Sequence, residues 1–240
     1  MSFRINFVRK FIELNEKLIF NRRLLKFYKS EFGSDLKNVI DIGVNVGQTI
    51  ELFLKINSEC SITGFEPNPK LYNWLINKYK HNTNIKLQPE GISDKIGIKV
   101  FHENILHSTS TFETLNLESD YLNKKANILG VEKENIISNS YSVDVITLCK
   151  YINKNYTKDI DLIKIDTEGH EYYCLLGLFH ESLKVKVSYI QIEEHNDDMY
   201  LNKKSFSDIK KLLNKNGYET STRIKHGFGN FHEVIFKKIY

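Results

Sequence analysis

From residue 38 onward, short apolar runs alternate with amphipathic stretches. Val39-Ile40-Asp41-Ile42 reads as a strand ending in a glycine turn, and 46–56 as a helix. Ser61–Phe65 is a second strand, stopped by Pro67 and Pro69. A helix over 69–80 and a short strand at Ile85–Leu87 follow. Alternation of this kind implies a parallel sheet with helices on both faces. Residues 91–140 are less regular. Ile96–Phe101 alternates like a strand, and the polar stretch 116–140 predicts a helical or loop insertion. Regularity then resumes with an edge strand at 141–146, a helix at 147–155, a buried strand at Asp161–Asp166 and a helix at 170–180. Lys186–Glu193 is another strand and 205–216 another helix. Two β runs, Tyr218–Arg223 and Glu233–Lys237, close the chain around a turn holding Gly227 and Gly229. Ahead of all this, Phe7, Phe11, Leu14, Leu18, Leu25 and Tyr28 fall at helical spacing over 3–31.

The pattern divides the chain into a helical extension over 1–35 and an α/β domain over 36–240, with a variable insertion at about 103–140. The extension has two readings. It is a cap packed on the following domain, or a basic helix for a membrane surface or a partner; the cap is favoured. The composition is that of an ordinary folded protein, with 41% hydrophobic and 27% charged residues in 240. The net charge of +4 comes from lysines and arginines interleaved with acids. A nucleic-acid binder would concentrate its basic residues in a stripe, so nucleic acid is not expected as a partner. Cys60, Cys149 and Cys174 are odd in number and far apart, which argues against disulfides or zinc and places them in the core. No apolar run reaches the ~18 residues of a bilayer span, and Arg4, Arg9 and Lys10 interrupt any secretory signal. A cytoplasmic location is therefore expected, with at most peripheral membrane contact.

The strongest local motif is Asp41-Ile42-Gly43-Val44-Asn45-Val46-Gly47-Gln48, where a strand gives way to a helix. Glycine there permits a tight turn and close approach of a ligand. The spacing is Gly-x-x-x-Gly, not the Gly-x-Gly-x-x-Gly that cradles a pyrophosphate. A cofactor without phosphate, S-adenosylmethionine (SAM), fits it: Asp41 faces the cationic methionine end and Asn45 bonds its polar groups. An ordinary βα turn with incidental glycines is the alternative. Glu66, in Gly64-Phe65-Glu66-Pro67-Asn68, lies about 25 residues beyond Asp41, close to the offset at which an acid grips a ribose diol. A dipole-stabilised helix N-terminal acid is its plainer reading. The loop Gln88-Pro89-Glu90-Gly91-Ile92-Ser93-Asp94 would lie over the adenine.

Asp161-Leu162-Ile163-Lys164-Ile165-Asp166-Thr167-Glu168-Gly169-His170-Glu171 is the most unusual stretch. A buried strand carries Lys164 and Asp166 on one face and delivers Glu168 beyond its carboxyl end, where ligands bind in open α/β sheets. Such clustering is costly unless the charges serve a site or pair with each other. A structural Lys164–Asp166 or Lys164–Glu171 ion pair is the alternative. The next strand ends in Ile190-Gln191-Ile192-Glu193-Glu194-His195, which brings Glu193 or His195 near Asp166. Histidine suits proton transfer near neutrality, although His195 also reads as a surface loop residue.

These motifs, with Ser108-Thr109-Ser110-Thr111 and Val143-Asp144-Val145-Ile146-Thr147-Leu148, closely resemble the FkbM family of SAM-dependent methyltransferases over roughly residues 38–240. The Lys-Ile-Asp-Thr-Glu-Gly block is the most diagnostic. The resemblance implies a class I methyltransferase fold, Rossmann-like, with a mostly parallel seven-stranded sheet and an antiparallel last strand. It implies methylation of hydroxyl oxygens of sugars, polyketides and related products. Val44 and Gly91 stand where the family usually has alanine, and His170 replaces a common small residue. The insertion and the N-terminal helix fall outside the pattern, where acceptor choice is expected to lie.

The expected reaction is O-methylation of a hydroxyl, with a sugar in a glycan or glycolipid as the best guess from the resemblance. Cofactor contacts are expected from Asp41, Gly43, Asn45, Gly47, Gln48, Glu66, Pro67, Gly91, Ile92 and Asp166. The acceptor would meet Ser108, Ser110, Thr111, Glu168 and Glu193. Asp166, Glu168, His195 and Lys164 are the expected catalytic residues. Magnesium on Asp166, Glu168, Glu193 and His195 is an unfavoured variant, because no dedicated ligand spacing exists. A homodimer is left open. The rivals are an NAD-dependent sugar oxidoreductase and a non-catalytic SAM-fold scaffold. The missing third glycine and the closing hairpin argue against the first. A nucleic-acid N-methyltransferase would carry an Asn/Asp-Pro-Pro-aromatic run where Asp166-Thr167-Glu168-Gly169 stands.

Overall fold

The computed structural model describes residues 20–194, 197–201, 203–226 and 231–239. His195, the turn at Gly227 and Gly229, and residues 1–19, with the first seventeen residues of the predicted N-terminal helix, lie outside that set. In chain order the elements are α1 (Asn21–Phe32), β1 (Asn38–Ile42), α2 (Gln48–Ile56), β2 (Ser61–Phe65), α3 (Pro69–Tyr79), β3 (Ile85–Gln88), β4 (Gly91–Ile92), β5 (Gly97–Asn104), α4 (Asp120–Leu129), β6 (Ile137–Ile146), α5 (Leu148–Asn155), β7 (Ile160–Ile165), α6 (Glu171–Leu178), β8 (Val187–Glu194), α7 (Phe206–Lys215), β9 (Tyr218–Lys225) and β10 (His232–Lys238).

Seven strands form one sheet in the order β3-β2-β1-β7-β8-β10-β9. β1 pairs in parallel with β2 and β7, whereas β10 runs antiparallel to both β8 and β9. The chain winds outward from β1 through β2 to β3, then restarts on the other side at β7. The carboxyl ends of β1 and β7 therefore form the switch point of the sheet, where open α/β folds bind ligands.

Period-two alternation splits the sheet's side chains into two cores. Ile40, Ile42, Ile163, Ile165, Ile190 and Ile192 face one core, and Val39, Leu162 and Tyr189 the other. On this second face three polar residues lie in register across the strands: Asp41 opposite Lys164, and Lys164 opposite Gln191. All three are buried. α1 closes over this row. Its Leu24 and Tyr28 are buried in the second core, and the Tyr28 hydroxyl donates to Gln191 Oε1. Arg23 ties the same helix to the carbonyl of Lys225 at 2.8 Å.

Local signals explain the helix starts. Asn68 caps α3 by accepting from the amides of Lys70 and Leu71, with Pro69 in the first turn. Ser119 caps α4, which Gly130 ends in left-handed backbone.

One expectation is corrected. Residues 141–146 were expected as an edge strand, but β6 runs from Ile137 and is the middle strand of a second, three-stranded sheet, β4-β6-β5. Ser138, Asn139, Ser140, Ser142 and Asp144 are exposed. The polarity of Ser138, Asn139 and Ser140, which reads as the end of an insertion, reflects a sheet with a solvated face. The insertion itself folds as α4 over a small core of Leu115, Leu122, Ala126, Ile136, Met199 and Tyr200. The three cysteines are buried and unpaired.

Candidate active site

At the switch point β1 ends in a turn that brings the backbone against the tip of β7. Gly43 has φ +85°, and a Cβ there would lie 1.9 Å from the carbonyl oxygen of Asp166. The Asp166 amide donates to the Ile42 carbonyl at 3.0 Å. Gly47 (φ +77°) then opens α2, and Asn45 between them also adopts a positive φ of 51°, a conformation disfavoured for residues with a Cβ.

The acid groups around this turn are arranged for something the protein does not itself supply. Both carboxylate oxygens of Asp41 are buried and lack a hydrogen-bond partner among the described residues, as does Asn45 Oδ1. A buried unpaired polar atom is expensive, and each needs a reason. Burial pushes the Asp41 carboxyl up to about 6, the Lys164 ammonium opposes this, and Asp166 adds to it. Burial pulls Lys164 down, but Asp166, Asp41 and Glu233 more than offset it and hold the lysine firmly charged. Lys164 Nζ lies 2.8 Å from Asp166 Oδ2.

Glu66 sits at the tip of β2. One oxygen accepts from the Asn45 amide at 2.7 Å and the other from the Asn68 amide at 2.9 Å. Each oxygen keeps a lone pair for a further donor. Burial raises this carboxyl to about 7, against the lowering effect of those two amides. Asn68 Nδ2 is a further buried atom without a partner.

Beyond the ends of β7 and β8 the predicted acids converge. Carboxylate oxygens of Asp166, Glu168 and Glu193 all come within 4.8 Å of one another, a spacing at which three acids can share hydroxyls or a divalent cation. Glu168 has φ +54°, strain of the kind that concentrates at working sites. Its loop is pinned three ways. Tyr200 donates to Glu168 Oε2 at 3.1 Å, Thr111 Oγ1 donates to the Glu168 carbonyl at 2.7 Å, and Glu171 Oε1 accepts from the amides of Thr167 and Gly169.

Other predicted residues fall elsewhere. Gln48 is exposed at the start of α2, and Pro67 is half-buried beside Glu66. Ile92 belongs to the apolar core, and Phe112 covers Gly91, where a Cβ would meet its ring at 2.5 Å. Ser108 is exposed, and Ser110 Oγ accepts from the Asn104 amide.

Several residues here carry no sequence signal of their own. Lys125, on α4, places Nζ 3.7 Å from Met199 Sδ. Burial holds it below the usual lysine range, against the pull of Glu168 and Asp197. His170, marked in the sequence only as a departure from the family, is buried between Glu113 (Nδ1 to Oε1, 2.6 Å) and Ser93 (Nε2 to Oγ, 3.0 Å). Nothing in the spacing of Ser93, Glu113 and His170 foretells that chain of contacts, because it joins three separate segments.

The FkbM methyltransferase domain model matches residues 41–220, running from the first acid of this site to the start of β9. The chain belongs to the FkbM methyltransferase family. As an FkbM methyltransferase it is a SAM-dependent enzyme, and the dinucleotide oxidoreductase reading is set aside. No curated protein matches it in sequence. Among solved structures it is similar in fold to a SAM-dependent methyltransferase from Aquifex aeolicus, at 14% identity and TM-score 0.50, covering 99% of this chain and 100% of that one. It is also similar to magnesium protoporphyrin IX methyltransferase from Synechocystis PCC 6803. The form with bound SAH gives 9% identity and TM-score 0.54 over 97% and 87% of the two chains. The form with bound SAM gives 9% and 0.51 over 92% and 78%. At these identities the shared property is the fold. No helix among the described residues of the FkbM protein is long and apolar enough to cross a membrane.

Proposed function

We propose that this FkbM protein transfers the methyl group of SAM to a hydroxyl oxygen, and that the acceptor is a sugar of a glycan or glycolipid. The observation that carries the cofactor half is the pair of unpartnered Asp41 oxygens at the switch point. An ammonium group placed there would meet two anionic acceptors, with Asn45 Oδ1 beside them. Glu66 would take the two ribose hydroxyls on the lone pairs left by its amide contacts. The cofactor supplies an activated methyl group on a sulfonium when bound.

The protein's own residues do the rest. Holding acceptor oxygen and methyl carbon in line is worth several kcal/mol, about 7–11 in favourable cases. Asp166, Glu168 and Glu193 orient the acceptor by accepting hydrogen bonds from its hydroxyls. As the O–C bond forms and the S–C bond breaks, the hydroxyl proton passes to a base, Glu168 or His195, for roughly 10²–10⁴-fold. Lys164, 2.8 Å from Asp166 Oδ2, holds that carboxylate in place. Three acids around one point favour a polyhydroxylated acceptor over an amine, whose lone pair needs no deprotonation once neutral.

The test is isothermal titration with SAM, followed by mass spectrometry of candidate glycans for the gain of one methyl group. Asp166→Ala and Glu168→Ala should each abolish turnover while SAM still binds. Turnover that survives both would overturn the assignment. Turnover lost in EDTA and restored by Mg²⁺ would instead make the three carboxylates a metal site.

A further inference from the structure

A cleft of about 600 Å³ is lined, apart from Asp94 of the loop expected over the adenine, by residues without a predicted role. Its walls come from segments already fixed to the site. Asp94 follows β4, Lys99 lies on β5, Phe112 and Glu113 follow Thr111, Tyr173 lies on α6, and Lys204 precedes α7. Thr111 holds one wall to the Glu168 carbonyl, and Glu113 is bonded to His170 two residues beyond Glu168. Tyr200, which donates to Glu168, anchors the segment that supplies Lys204. The walls of the cleft are therefore tied to the loop that carries Glu168. Its volume suits a small ligand.

The lining is sorted by charge. Lys99 and Lys204 have no carboxylate within ion-pair distance among the described residues, whereas their neighbour Lys203 pairs with Asp197 at 3.8 Å. Two cations left unpaired at one cleft favour an anionic occupant. The acids are held differently. Ser93 Oγ donates to Asp94 at 3.0 Å, and the His170 ring fixes Glu113. Both carboxylates are thereby oriented as hydrogen-bond acceptors for hydroxyls. The rings of Phe112 and Tyr173 add apolar faces, with Lys99 Nζ 5.6 Å from the Tyr173 centroid.

We infer that this cleft seats the acceptor, and that the acceptor is a polyol carrying a negatively charged group, phosphate or carboxylate. Lys99 and Lys204 hold the anion, Asp94 and Glu113 take hydroxyls, and the rings cover the C–H face of the sugar. The inference rests on the sugar-hydroxyl reading above and narrows its substrate class.

The test uses the full chain and four probes in calorimetric titration: glucose 6-phosphate, glucuronate, glucose and inorganic phosphate. At least one anionic sugar should bind roughly tenfold or more tighter than glucose, and more weakly as salt rises. Comparison of the two shows whether phosphate or carboxylate is preferred. The double variant Lys99→Gln/Lys204→Gln should weaken that sugar about tenfold or more, since each contact is charge-assisted, and leave SAM binding unchanged. The idea fails if neither anionic sugar outbinds glucose, if the double variant binds them as well as the parent does, or if inorganic phosphate alone binds as tightly as glucose 6-phosphate. SAM titrated into the same samples separates the outcomes. Loss of SAM binding in the parent would sink the methyltransferase site, whereas intact SAM binding with failed probes sinks only the anionic acceptor.

Discussion

Replacing Asp41 by Asn should make the cofactor-free protein more stable and the enzyme worse. The carboxylate is fully buried, with neither oxygen hydrogen-bonded, and its carboxyl is raised from 3.8 to about 6. At about 1.4 kcal/mol per pH unit, keeping it ionised at neutral pH costs the free fold about 3 kcal/mol. The sign follows from the direction of the shift. A carboxyl whose folded value is raised binds its proton more tightly in the native state. Its stabilising contribution is complete below 3.8 and is lost as pH rises through about 6. An amide has the same shape without the charge, so Asp41→Asn should match the parent near pH 4, gain as pH rises to 6, and hold about 3 kcal/mol of extra stability at pH 7.5. For a chain of this size that is a rise of roughly 6–12 °C in melting temperature. SAM affinity should move the other way. Losing a charge-assisted contact to the ammonium, about 1.5–3 kcal/mol, weakens binding roughly 10- to 150-fold. Urea unfolding between pH 4 and 8 and calorimetric titration with SAM measure the two effects. A variant less stable than the parent at pH 7.5, or a gain that does not shrink between pH 6 and 4, refutes the reasoning.

Three further outcomes follow from the same geometry. Gly43→Ala would force a Cβ to within 1.9 Å of the Asp166 carbonyl in backbone at φ +85°; a loss of at least about 3 kcal/mol should appear in urea unfolding or as insoluble protein. With the Glu66 carboxyl raised to about 7 by burial, SAM affinity should fall as pH drops below 7, because the protonated acid accepts fewer hydrogen bonds. Glu66→Gln should bind weakly at every pH, and an unchanged pH profile in that variant would assign the effect to another group. His170→Leu strands the buried Glu113 carboxylate and should cost about 3 kcal/mol, read as a lower denaturation midpoint.

Most of the sheet could be read from the chain because its strands are doubly covered. Val39–Ile42 and Leu162–Ile165 are buried on both faces, so their apolar runs admit few alternatives. The start of β6 is hidden in the sequence because one of its faces meets water, and Ser138, Asn139 and Ser140 mimic a loop. Asp41, Glu66 and Asp166 stood out since a charge at the end of a buried run has no structural excuse. Glu113, Tyr200 and Lys125 did not, because nothing local distinguishes them; only tertiary folding brings the insertion and the 197–201 segment over Glu168. The same holds for the cleft, whose lining is drawn from five separated segments. Ile92, at the loop expected over the adenine, is buried in the apolar core.

The abutment of the β1 turn against the tip of β7 has an evolutionary consequence. Because Gly43 leaves no space beside the Asp166 carbonyl, the proposed donor seat is locked to the strand that carries Lys164 and can hardly drift. The walls of the proposed acceptor cleft come partly from the second sheet and α6, and partly from segments that flank the small core under α4. On the proposed reading, mutation there can retune which molecule is modified while the donor's seat stays as it is.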